Sequence, residues 1–277
     1  MKWNGSTWSG DGGPLQSFFG AWGSDASNLW VVGEAGSIFK WTGTGLVAQS
    51  SGTTQNLYAV WGSDASNVWA VGAGGTLLKW SGAAWAAQAS GVTTPLSGVW
   101  GSDASNAWAV GAGGTILHLS GGTWSAVASG VISGLSAVWG TGANNIWAVG
   151  SLGTVLHWDG TSWTSAVSGT GQLLTAVWGS DASNVWAVGT GGTIVRWNGT
   201  AGTAQTSGTT QQRTAVWGTS ATSVWASGYG GVLLKWNGST WTTLASGSSQ
   251  ALNAVWGTDA VNVWTVGSQG TVLQHTP

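Results

Sequence analysis

Leu57-Tyr58-Ala59-Val60-Trp61, Gly62-Ser63-Asp64-Ala65-Ser66, Asn67-Val68-Trp69-Ala70-Val71, Gly72-Ala73-Gly74-Gly75, Thr76-Leu77-Leu78-Lys79-Trp80, Ser81-Gly82-Ala83-Ala84 and Trp85-Ala86-Ala87-Gln88 together make one unit of this chain. Three runs rich in β-branched and aromatic residues, and a fourth led by Trp, alternate with turn clusters, which reads as four strands. The Gly pair between the second and third runs is what a tight hairpin with positive φ needs. The unit returns every 39 residues, marked by Trp22, Trp61, Trp100, Trp139, Trp178, Trp217 and Trp256, and seven such units cover 273 of the 277 residues. A strand-rich repeat of about 40 residues is the mark of a propeller blade. The chain therefore reads as all-β: one seven-bladed β-propeller over residues 1–277, with four antiparallel strands per blade.

Composition agrees with that reading. Charged residues make up only 5% of the chain, against 49 Gly and 25 Trp, which suits sheets covered on both faces by neighbouring blades. The net charge of −2 offers no electrostatic footprint for nucleic acid. No apolar run approaches the roughly 18 residues of a membrane helix, and the absence of cysteine excludes disulfides and thiolate metal sites. The sequence opens mid-repeat without a signal-peptide core, and its poverty in lysine points to an extracellular or cell-surface setting. Residues 252–275 supply three strands of a last blade. Residues 2–9 match the end of the third strand and the start of the fourth elsewhere, so the N-terminal strand is expected to close the last blade. Closure leaves no free edge beyond the outer strands, and a monomer is expected.

All 25 tryptophans fall at four places in the unit. The first place is invariant, and so is the second (Trp30, Trp69, Trp108, Trp147, Trp186, Trp225, Trp264). The third is Trp3, Trp41, Trp80, Trp158, Trp197 and Trp236; the fourth is Trp8, Trp85, Trp124, Trp163 and Trp241. The first two are expected to fill the gaps between blades, each removing on the order of 200 Å² from water. Charges also keep to fixed places. Asp25, Asp64, Asp103, Asp181 and Asp259 follow the first Trp by three residues. Lys40, Lys79, His118, His157, Arg196 and Lys235 follow it by 18. The strand order puts both sets at one end of the blade, together with the third and fourth tryptophans. The plain reading is local turn chemistry, Asp bonding its own backbone, with the bases paired to the carboxylates. The sharper reading is a polar and aromatic site repeated round the disc.

Gly153-Thr154-Val155-Leu156-His157-Trp158-Asp159-Gly160-Thr161-Ser162-Trp163, preceded in most blades by Val-Trp-Ala-Val-Gly, resembles the short bacterial repeats grouped with BNR and Asp-box propellers, including the photosystem assembly-factor type. The stretch from Asp159 to Trp163 is one residue shorter than an Asp-box. In that family the box is a structural hairpin, so the resemblance implies fold and not catalysis. Sugar-binding propellers are similar in another way, through Trp-rich repeats and near-identical sites.

An enzyme is disfavoured because catalysis assigns different roles to different groups. The residues that break the symmetry (Lys2, Asp11, Glu34, Asp159, Arg213 and His275) are scattered. Three histidines, two of them in the basic ring, form no metal constellation, and no cofactor is implied. Arg213 replaces the Phe18, Leu57, Leu96, Leu135, Leu174 and Leu252 of other blades, and its head is expected to snorkel to water. The preferred function is multivalent, lectin-like carbohydrate binding, with avidity from repetition. Trp80 and Trp85 are the expected platform, with Lys79 and Asp64 as polar partners. The equivalents are Trp41, Lys40 and Asp25; Trp158, Trp163 and His157; and Trp236, Trp241 and Lys235. The alternative is a protein-interaction or architectural propeller with no small-molecule site. Glycans or proteins are thus the expected partners.

Overall fold

Each 39-residue unit folds into one antiparallel sheet because its turns are short and its strands have apolar side chains on both faces. The computed structural model describes residues 2–3, 8–9, 16–25, 28–42, 45–199 and 201–275. In the second unit the strands are Leu57–Asp64, Asn67–Gly72, Leu77–Trp80 and Trp85–Ala87, hydrogen-bonded in that order from the axis outward. Five further sheets repeat this pattern, and a seventh holds Leu252–Gly257, Val263–Gly267 and Val272–His275. The architecture is a seven-bladed β-propeller. The turn after the second strand is a three-residue 3₁₀ turn, Ala73–Gly75 in the second blade, with positive φ at Gly74 (61°) and Gly75 (71°), as the Gly pair requires.

Between blades, the first tryptophan of each unit lies against the glycine that follows the first tryptophan of the next. A Cβ placed on Gly101 would stand 2.7 Å from the Trp61 ring, and one on Gly140 2.8 Å from that of Trp100. The series ends with Gly23, where a Cβ would meet the Trp256 ring at 2.6 Å. This last contact brings the seventh blade onto the first and closes the ring. The Asn253 amide reinforces it by donating to the Phe18 carbonyl at 2.7 Å. The invariant Trp-Gly pair is therefore one device: a large ring on one blade fitted to a missing side chain on its neighbour.

The second tryptophan is the centre of each core. Trp30, Trp69, Trp186 and Trp225 are completely buried. Trp30 packs across the blade boundary on Trp80 and Trp85, with ring centroids 4.9 and 5.2 Å away, and Trp108 does the same with Trp158 and Trp163 at 5.0 and 5.4 Å.

At the N-terminus, Lys2–Trp3 pairs with Trp8–Ser9 as a hairpin, Trp3 opposite Trp8. Trp80 stands opposite Trp85 in the same way. The hairpin lies with its first strand beside Val272–His275. It forms its own two-stranded sheet, so it completes the last blade as a separate piece rather than as a fourth strand in the ladder.

The disc has two unlike faces. The innermost strand ends, and the hairpin between third and outer strands turns, on what we term the Asp face. The 3₁₀ turns and the linkers between blades lie on the opposite, turn face.

Candidate functional site

Four of the tryptophans expected to bind a ligand lie inside the packing. Trp80 is 7% exposed and Trp85 8%; Trp163 and Trp236 are buried as well, while Trp41, Trp158 and Trp241 are half-buried. The blades widen outward, and the outer gap is filled by the third and fourth tryptophans of one blade meeting the second tryptophan of the blade before. Trp80 and Trp85 therefore present no open ring face for a sugar. Asp11 and the side chains of Lys2, Trp3, Trp8 and His275 lie outside the described residues.

The basic ring is explained by strand register. Each base stands directly opposite the second tryptophan on the neighbouring strand: Lys40 opposite Trp30, Lys79 opposite Trp69, and Arg196 opposite Trp186. The cation then covers the ring, at 5.2 Å for Lys40, 5.0 Å for Lys79 and Arg196, and 4.8 Å for Lys235 on Trp225. Such contacts are worth ~0.5–2 kcal/mol depending on solvation. His118 stacks on Trp108 at 4.0 Å and His157 on Trp147 at 4.5 Å. Burial pushes both imidazoles below their ordinary pKa, and at His157 the nearby Asp159 charge opposes the shift.

The Asp ring is turn chemistry. Asp64 accepts from the Ser66 and Asn67 amides at 2.8 and 3.0 Å and from the Asn67 side chain and the Ser63 hydroxyl. The Ser66 amide is the main reason its carboxyl sits below the usual value. The Asn between the two rings reaches the base in several blades: Asn106 to His118 at 2.8 Å, Asn145 to His157 at 2.7 Å, Asn184 to Arg196 at 2.5 Å. Asp64 thus engages its own turn, and Lys79 engages Trp69. These groups hold the hairpins.

A pH dependence follows from this arrangement. Asp259 and Asp159 are held at about 2, chiefly by the Asn262 side chain and the Thr161 hydroxyl. A carboxylate whose folded pKa is depressed stabilises fully above its unfolded pKa near 3.8, and that contribution is lost as pH falls through the folded value. The two half-buried histidines act with the same sign, since the unfolded chain takes up their protons first as pH falls below 6.5. The thermal midpoint, followed by circular dichroism, is expected to be flat above pH 7. It should decline slightly below pH 6.5 and steeply between pH 4 and 2. A midpoint unchanged down to pH 3 would contradict the assignment.

The turn face holds the other candidate. At the mouth of the central channel a pocket of about 390 Å³ is lined by Phe19, Tyr58, Ser97, Thr175, Gln212, Thr214 and Asn253. Six of these share one place in the repeat, the second residue of the innermost strand, and Ser136 completes the set. No other place in that strand takes aromatic, hydroxyl and amide side chains in turn. The available signal was variation at a fixed register, whereas the sequence reading followed constancy.

Other departures from the repeat gather on the same face. Leu152 sits at φ +56° where four blades have Gly, and is 78% exposed. Ile132, in the linker before that blade, is 92% exposed, and its loop is joined to the Leu152 turn by the Ser151 amide donating to the Gly134 carbonyl at 2.9 Å. Tyr229 adds an exposed ring. A left-handed conformation costs a leucine roughly 1–2 kcal/mol, and this one gains no burial in return. Among the described residues the turn face carries two charged groups, Glu34, which accepts from the Ser17 amide at 3.0 Å, and Arg213.

Arg213 does not snorkel. It is fully buried, and Nε, Nη1 and Nη2 have no hydrogen-bond partner. Its place is the start of the innermost strand, where the leucines of other blades point into the gap between blades, and the strand carries the arginine there too. Burial lowers its pKa.

No family model and no curated protein matches the sequence. Among solved structures the chain is similar to YCF48 from Cyanidioschyzon merolae, at 19% identity and a TM-score of 0.77 over 95% of this chain and 96% of that one. A structure of YCF48 bound to D1 peptide gives 14% and 0.78, covering 95% and 93%. The RRP9 WD40 repeats give 11% and 0.79, covering 94% of each chain. At these identities the likeness is one of fold, and no family model sets the chain among Asp-box or lectin propellers.

Proposed function

We propose that this chain is a non-enzymatic, protein-binding propeller that docks a partner polypeptide on its turn face. The observation that carries the reading is the contrast between the faces. The Asp face carries the same Asp-led turn in five of the seven blades, while the turn face gathers the mixed channel-mouth set, strained Leu152 and exposed Ile132. Exposed apolar side chains around a concave mouth suit a protein interface. One of the similar propellers, YCF48, has D1 peptide bound. The burial of Trp80, Trp85, Trp163 and Trp236 counts against the carbohydrate reading.

The test is selection of a random phage-displayed peptide library on the protein, followed by substitutions borrowed from other blades so that the fold is kept. Leu152→Gly with Ile132→Thr alters the turn face; Asp64→Ser alters the Asp face. Enriched peptides should bind several-fold more weakly to the first variant and unchanged to the second. Failure to enrich any peptide, or dependence on Asp64 alone, sinks the proposal.

A further inference from the structure

The two sides of the channel mouth differ in chemistry. Phe19 and Tyr58, on the first two blades, set their rings 5.9 Å apart at 47° and form an aromatic wall. Across the channel, Thr175, Thr214 and Asn253 on the fifth, sixth and seventh blades are tied to the blade that follows each of them. The Thr175 hydroxyl donates to the Arg213 carbonyl at 2.7 Å, the Thr214 hydroxyl to the Leu252 carbonyl, and the Asn253 amide to the Phe18 carbonyl at 2.7 Å. A hydroxyl has one proton. The Thr175 hydroxyl lies between the Arg213 and Val188 carbonyls and the Thr214 hydroxyl between those of Leu252 and Ser227. Each proton is thus committed within the wall and the oxygens keep acceptor capacity only, to which the Asn253 carbonyl oxygen adds.

A guest on that arc must therefore bring donors. It gains nothing from a formal charge, because among the described residues no carboxylate or ammonium lines the mouth. The buried Arg213, whose chain neighbours Gln212 and Thr214 line it, further disfavours a cation. The volume lies within the ~300–1,000 Å³ typical of small-ligand sites, enough for one large side chain and the amides beside it. Building on the proposed docking face, we infer that the channel mouth receives an uncharged peptide segment. One aromatic side chain of the segment seats on Phe19 and Tyr58, and its backbone N–H groups donate to Thr175, Thr214 and Asn253.

Phe19→Ser with Tyr58→Ser tests this, because the third and fourth blades already carry Ser97 and Ser136 at that register. An unchanged thermal midpoint confirms that the variant is folded. The probes are the library-selected peptides, made synthetically, each with a partner in which its aromatic residue is replaced by alanine. The inference expects selected sequences to share an uncharged stretch around an aromatic residue. Both the double serine variant and the alanine peptides should lose about tenfold or more in affinity, as removal of a central aromatic anchor does. Peptides that bind the double variant unchanged but fail on Leu152→Gly with Ile132→Thr would leave the docking face standing and overturn the channel-mouth assignment. Peptides insensitive to both sets of substitutions would overturn both. Mouth-dependent peptides rich in acidic or basic residues would refute the uncharged class.

Discussion

Arg213→Leu is expected to stabilise the protein by about 3 kcal/mol, a large gain for a single substitution. A guanidinium stays charged in proteins, and one taken from water without a partner carries an uncompensated desolvation cost of several kcal/mol. Arg213 is in that position: fully buried, all three nitrogens unpartnered, Nη1 lying 3.0 Å from where a Gly228 Cβ would be. The same place is filled by leucine in five blades and by Phe18 in another, so the gap between the fifth and sixth blades is built for an apolar side chain. Urea unfolding should show a higher midpoint at unchanged slope. A lower midpoint would mean that the guanidinium is satisfied in solution and supports the fold.

Trp80→Ala carries the opposite sign. Trp80 touches Trp30 of the preceding blade and Trp85 on its own outer strand, with centroids 4.9 and 5.9 Å apart, and is 7% exposed. Truncating such a tryptophan costs about 3–5 kcal/mol through lost burial and the cavity left behind. The loss should appear as a lower unfolding midpoint together with enhanced proteolysis of the outer strands. A fully stable Trp80→Ala protein would return Trp80 to the role of a surface platform.

The fold was legible because its determinants are periodic. The interval between Trp22 and Trp61 occurs six times and so marks seven units, and the glycines of the turns recur with it, so strand number and blade number could be counted. Asp64 was legible as turn chemistry because its partners, Ser66 and Asn67, are its chain neighbours. The third and fourth tryptophans were harder. Trp80 and Trp85 flank an exposed hairpin, and chain proximity to that hairpin suggests exposure, whereas the neighbour that covers them, Trp30, belongs to another blade. Arg213 was misjudged for a related reason: the direction in which the first residue of an innermost strand points is set by sheet twist and blade spacing. The channel mouth escaped notice because Phe19, Tyr58, Ser97, Thr175, Thr214 and Asn253 look like noise along the chain and become a wall only when the ring is closed.

The clips around the channel also have a mechanical meaning. Thr175, Thr214 and Asn253 rivet the fifth, sixth, seventh and first blades to one another, whereas among the described residues Ser97 and Ser136 set no such rivet between the blades they belong to. Opening the ring at any of these three boundaries would therefore break a side-chain clip beside the channel as well as the Trp-Gly contact that every boundary shares.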